Sequence, residues 1–71
     1  MVTPAVNIVI NGKNEKIGEG ISVRGLLELK GININLVACE LNLKIIRRAE
    51  LSKYNLKEGD HLEIIQMMGG G

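Results

Sequence analysis

Apolar residues recur at every second position through Val6, Ile8 and Ile10, a spacing that places them on one face of an extended strand. Asn11-Gly12 follows directly, the strongest short-range signal for a two-residue hairpin, so Lys13 to Ile17 is predicted to return as a second strand. Beyond Gly18-Glu19-Gly20 the period changes. Val23, Leu26, Leu27 and Lys30 fall at helical spacing, with Ser22 suited to cap the N-terminus and Ile21 and Leu26 suited to a hydrophobic staple. Gly31 stands where a left-handed C-cap ends a helix of about two turns. Gly25 inside that helix costs about 1 kcal/mol against Ala. Two explanations stand: a neighbouring backbone passes close on the sheet side, or the helix is weak.

Alternation resumes after the polar connection Ile32-Asn33-Ile34-Asn35. Leu36 to Leu41 reads as a third strand, with Val37, Cys39 and Leu41 on one face and Ala38 and Glu40 on the other. Asn42-Leu43-Lys44 turns into a short fourth strand at Ile45-Ile46, and one helical turn is predicted around Ala49-Glu50-Leu51 within Arg47 to Lys53. Lys57-Glu58-Gly59-Asp60 has the residues of a tight turn. A fifth strand runs from His61 to about Met67, with Leu62 and Ile64 on one face and His61, Glu63, Ile65 and Met67 on the other. The pattern therefore predicts an α+β fold, a mixed sheet of four to five strands with one main helix across one face. Placing the last strand beside the first makes it a β-grasp, the ubiquitin-like arrangement; that sheet order is a fold-level reading, since periodicity supplies only the elements.

At 71 residues the chain is one domain, 1–71, near the lower size limit for folding on a single core. With one Tyr and no Phe or Trp, that core is aliphatic, and aromatic stacking on nucleic-acid bases is not available. Nine Lys+Arg against eight Asp+Glu give no bulk attraction for a polyanion, so no nucleic-acid partner is expected. A single cysteine forms no internal disulfide, and the sequence shows no leader or long apolar span; a soluble cytoplasmic protein without a membrane partner is expected. Alternation puts Cys39 inside, as core rather than nucleophile. His61 has no companion at ligand spacing, so no metal site is expected. Lys44, Arg47 and Arg48 either dock an acidic partner or solvate an edge.

The hairpin Asn11-Gly12, the stretch Glu40-Leu41-Asn42, the run Ile45-Ile46-Arg47-Arg48-Ala49-Glu50, the turn Lys57 to Asp60 and the ending Glu63-Ile64-Ile65-Gln66-Met67-Met68-Gly69-Gly70-Gly71 together resemble the ThiS-like sulfur carriers of thiamine biosynthesis, within the ThiS/MoaD ubiquitin-like superfamily. The resemblance covers nearly the whole chain in order. The chain departs from the family's usual pattern at Leu43, where Gly is common, and at Arg47, where Pro is common. It also has aliphatic Leu51 and Met67 near positions where the family often has aromatic residues.

The resemblance implies that the Gly71 α-carboxylate is the working group and that the protein is a co-substrate, not an enzyme, with no catalytic residues of its own. A ThiF-like adenylating enzyme joins that carboxylate to AMP from ATP; a sulfur nucleophile supplied through a cysteine desulfurase or another donor displaces AMP. The resulting thiocarboxylate donates sulfur to the thiazole precursor held by a ThiG-like thiazole synthase. No stably bound cofactor is implied. Residues 68–71 are expected to form a flexible tail, which extended spans roughly 14 Å. Gly69 and Gly70 lack a Cβ and are suited to threading a partner's active site. Ile65, Met67 and Met68 face outward on the assigned alternation and are expected to dock partners. Two alternatives stay open: a molybdopterin synthase small subunit or a ubiquitin-like protein modifier, and a β-grasp module that binds without covalent chemistry.

Overall fold

The computed structural model describes residues 4–67. Six regular elements build it: strands β1 (Ala5–Ile10) and β2 (Lys13–Gly18), helix α1 (Val23–Leu29), then strands β3 (Val37–Leu41), β4 (Lys44–Ile46) and β5 (His61–Gln66). They form one five-stranded sheet in the order β2-β1-β5-β3-β4. β5 pairs parallel with β1 and antiparallel with β3, so the last strand in sequence is the middle strand in space. This is the β-grasp, with α1 across one face.

Each turn has a local cause. The β1–β2 hairpin closes on Asn11 and Gly12, both at positive φ (49° and 82°), where neither residue is strongly penalised. Ser22 caps α1, its hydroxyl accepting a hydrogen bond from the Gly25 amide at 3.0 Å, and Gly31 leaves the helix at φ 70°. The third strand begins at Val37 rather than Leu36, because Ile34–Leu36 forms a 3₁₀ turn capped by the Asn33 side chain. The helical turn expected around Ala49–Leu51 is a 3₁₀ turn over Arg48–Lys53.

The inward residues of all five strands and the α1 stripe meet in one aliphatic core. Ile8, Val23, Leu27, Cys39, Leu56 and Leu62 are its fully buried members, and among the described residues no polar or charged side chain is buried with them. Burial also pushes the Cys39 thiol pKa up by desolvation, keeping it protonated and unreactive. No helix of the described residues is long and apolar enough to cross a membrane.

A Cβ at Gly25 would meet the Ile21 side chain and the Ser22 Oγ, each at 3.4 Å, and no neighbouring backbone. Close backbone approach therefore does not explain this glycine; the helix is simply weaker for it. Gly25→Ala is expected to raise stability by about 0.5–1 kcal/mol, read from the urea midpoint. A lowered midpoint would mean that Ile21 and Ser22 do not yield to a methyl group.

Candidate functional site

The site is built on β5, because that strand carries the chain from the middle of the sheet to the glycine-rich end. Its alternation divides two environments. Leu62 and Ile64 face the core, Leu62 fully buried and Ile64 packed against the buried cluster. Ile65 (47% exposed) and the following Met67 (43%) stand on the opposite side, where no helix covers the sheet. Ala38 lies directly across from Ile65 on β3 and widens the apolar strip. Beside it, Glu40 faces Glu63 across the same strand pair. Like charges placed opposite one another disfavour the pairing, and a cation brought by a partner would relieve them.

Two turn asparagines fix β5 along its length. The β1–β5 pairing has only two register pairs, Val9 with His61 and Ile10 with Leu62. Beyond them the Asn11 amide continues the ladder as a backbone peptide would: its Oδ1 accepts from the Ile64 amide at 2.7 Å and its Nδ2 donates to the Ile64 carbonyl at 3.3 Å. On the other side Asn42, at φ 52°, does the same at the start of the strand. Its backbone amide donates to the His61 carbonyl, its Oδ1 accepts from the His61 amide at 2.9 Å, and its Nδ2 reaches Asp60 at 3.0 Å. The Met67 amide donates to the Leu36 carbonyl, holding the chain to the edge of β3 one residue past the strand.

Asn11→Ala removes two of these bonds and leaves Ala in a backbone region that disfavours it, so a loss of about 1–3 kcal/mol is expected in denaturant titration. Unchanged stability would mean that the side chain adds nothing to the β1–β5 pairing.

Of the residues singled out in the sequence, Ile65 and Met67 come together on the uncovered face, and Cys39 lies in the core at 1% exposure. His61 is exposed on that same face beside Asn42, and Arg48 reaches the Asn35 carbonyl at 3.5 Å. Met68, Gly69, Gly70 and Gly71 lie outside the described residues. Among the described residues no group of three or more His, Cys, Asp or Glu side chains could hold a metal ion. The asparagine bridges were not visible in sequence. Asn-Gly and Asn-Leu announce turns, but the partner of Asn11 is 53 residues away.

A β-grasp domain with a buttressed central strand and an uncovered sheet face is the class that fold and site define. Residues 4–71 match the ThiS family, and the chain belongs to it. The crystal structure of the thiamine biosynthesis protein ThiS from Geobacter metallireducens superposes with a TM-score of 0.80 at 33% identity, covering 93% of this chain and all of that one. A solution structure of a thiamine biosynthesis protein from the same organism gives 0.77 at 30% identity, covering 93% and 88%. The chain is also 33% identical over 66 residues to a thiazole synthase of Paramagnetospirillum magneticum, matching 93% of this chain but only 20% of that protein, so it spans about one-fifth of that relative's length. It is 32% identical over its full length to an uncharacterized protein of Pyropia yezoensis, also covered in full.

Proposed function

We propose that this chain carries sulfur on its C-terminal residue for thiamine biosynthesis, being itself the co-substrate of partner enzymes rather than a catalyst. The observation that carries the reading is the central position of β5: a strand fixed on both sides carries an exposed apolar strip, and in the sequence a glycine run follows it. The Gly71 carboxylate, a poor electrophile, attacks the α-phosphorus of ATP in a ThiF-like adenylating enzyme and releases pyrophosphate. The terminal sulfur of a persulfide, loaded by a cysteine desulfurase or another donor, then attacks the acyl adenylate. AMP leaves with the C–O electron pair, and a thiol cleaves the S–S bond of the acyl disulfide to free the thiocarboxylate. That anion donates its sulfur to the thiazole precursor in a ThiG-like thiazole synthase. The likeness to one-fifth of a protein named as a thiazole synthase supports the choice of acceptor.

The test is the intact mass of the protein after incubation with ATP, the adenylating enzyme of its own organism and a persulfide source. Replacement of one oxygen by sulfur is expected. Linkage to other proteins instead would make it a modifier, and sulfur passed to a pterin but not to a thiazole would make it a molybdopterin synthase subunit. The absence of any adenylation would leave a module that binds without covalent chemistry.

Ile65 and Met67 form the docking strip in this reading, and Met68, next in the sequence, is proposed to dock with them. Ile65→Glu buries nothing new and sits on the uncovered face, so the fold is expected to survive while affinity for the adenylating enzyme falls by about tenfold or more. Titration calorimetry against that enzyme reads the effect; unchanged affinity would remove Ile65 from the interface.

A further inference from the structure

The β3–β4 turn sets two residues, Asn42 and Leu43, at positive φ (52° and 71°). Asparagine tolerates that region; a leucine there is a genuine outlier, and the expected residue is glycine. Nothing inside the molecule compensates, since Leu43 is 93% exposed. Ile45, next along the edge strand β4 and on the uncovered face, is 73% exposed. A strained, solvated leucine beside a solvated isoleucine is unfavourable for the isolated chain on both backbone and hydration grounds.

The other side of the same hairpin end is basic. An open cleft of about 490 Å³ is lined by Lys44, Lys53 and Lys57 together with Tyr54 and Asp60. Asp60 is already engaged by the Asn42 Nδ2 at 3.0 Å and by the Lys57 backbone amide at 2.8 Å. The ion pairs among the described residues, Arg24 with Glu28 and Lys30 with Glu15, lie elsewhere, so none of the three ammonium groups has a carboxylate partner there. Residues 44–60 hold five of the nine Lys and Arg of the chain against three acids, Glu50, Glu58 and Asp60. In a protein of net charge +1 this concentrates positive potential at one end of the sheet.

We propose that the β3–β4 end is a second docking surface, which receives an acidic protein segment whose apolar side chain covers Leu43 while its carboxylates meet Lys44, Lys53 and Lys57, on the side of the hairpin away from Glu40 and Glu63. Charge complementarity selects the occupant: the unneutralised cations call for carboxylates, and the apolar tip calls for a side chain among them. The inference rests on the carrier reading, in which the acidic segment belongs to an enzyme that handles the chain. β5 starts beside this end and runs to Met67, six residues at about 3.4 Å each, roughly 20 Å away. A partner held at the turn leaves Met67, at the far end of β5, free for a different active site.

The test measures binding of the full chain to the purified adenylating enzyme and the purified thiazole synthase of its own organism, by calorimetry at low and high salt. Leu43→Gly relieves the backbone and keeps the fold, yet is expected to weaken binding to at least one of the two enzymes by about tenfold, whereas Leu43→Met retains it. Lys53→Glu with Lys57→Glu is expected to weaken the same complex at least as much and to flatten its salt dependence. Wild-type affinity of both variants for both enzymes would overturn the proposal while leaving the carrier reading standing. Failure of the unaltered chain to bind either enzyme would overturn both. Binding of the unaltered chain to phosphatidylserine vesicles, lost in Leu43→Gly, with no effect on either enzyme, would replace the acidic protein segment by a membrane surface.

Discussion

Deletion of Gly71 is expected to abolish thiocarboxylate formation completely while leaving the denaturation midpoint where it was. The two readouts separate because a glycine brings no side chain to a core, and among the described residues the buried members lie between Val6 and Leu62. Removing it keeps a terminal carboxylate but moves that group back by one residue, about 3.5 Å. A displacement of that size at a reacting centre far exceeds the ångström that already costs about a hundredfold in rate. A bulky residue in place of Gly71 keeps the length and tests the other requirement. It is expected to block adenylation through its Cβ, because a partner's backbone and the nucleotide phosphates must approach the terminal residue closely. Intact mass spectrometry after incubation with ATP, adenylating enzyme and persulfide reads both variants. Full sulfur loading of the deletion would show that the chemistry requires neither Gly71 itself nor the full length of the tail. Normal loading of the bulky variant alone would remove only the argument from close approach.

The parts of this architecture that were legible in sequence are those with contiguous causes. Val6, Ile8 and Ile10 alternate, Asn11-Gly12 turns, and the β1–β2 hairpin follows within fourteen residues of chain. Ser22 and Gly31 mark both ends of α1 because a helix's unsatisfied groups are capped by their neighbours. The exposure of Ile65 and Met67 followed from alternation once Leu62 was assigned to the core. What could not be read locally is pairing at long range. The parallel contact of β1 with β5 joins residues more than fifty positions apart, and nothing in either strand names the other. The β-grasp order was a fold-level reading of the order of elements, which periodicity alone does not supply. For the same reason Asn11 and Asn42 looked like ordinary turn residues, although each side chain extends a ladder of β5. The strain at Leu43 was hidden as well, because a leucine after Asn42 gives no signal that its backbone will be left-handed.

Leu62→Ala is expected to be the most damaging single substitution to the fold, because it tests the central strand directly. Leu62 is fully buried and registers with Ile10 of β1 on one side and Leu41 of β3 on the other, so it packs at the middle of the sheet under α1. Truncating such a leucine costs about 3 kcal/mol, the sum of the lost transfer energy and the cavity left behind. A chain of this length has roughly 4–10 kcal/mol of stability in all. The variant is thus expected to lose about 30% or more of its stability in urea titration, with premature melting on heating. The functional consequence follows from the position of the residue rather than from any contact with a partner. Leu62 lies five residues before Met67, so loosening β5 releases the Asn11 bridge to Ile64 and the exposed strip together. Sulfur loading should then fall in proportion to the folded fraction and recover at lower temperature. A loss below about 1 kcal/mol would mean that β5 is not the keystone of the core, and loading that stays low in the cold would assign Leu62 a role beyond packing.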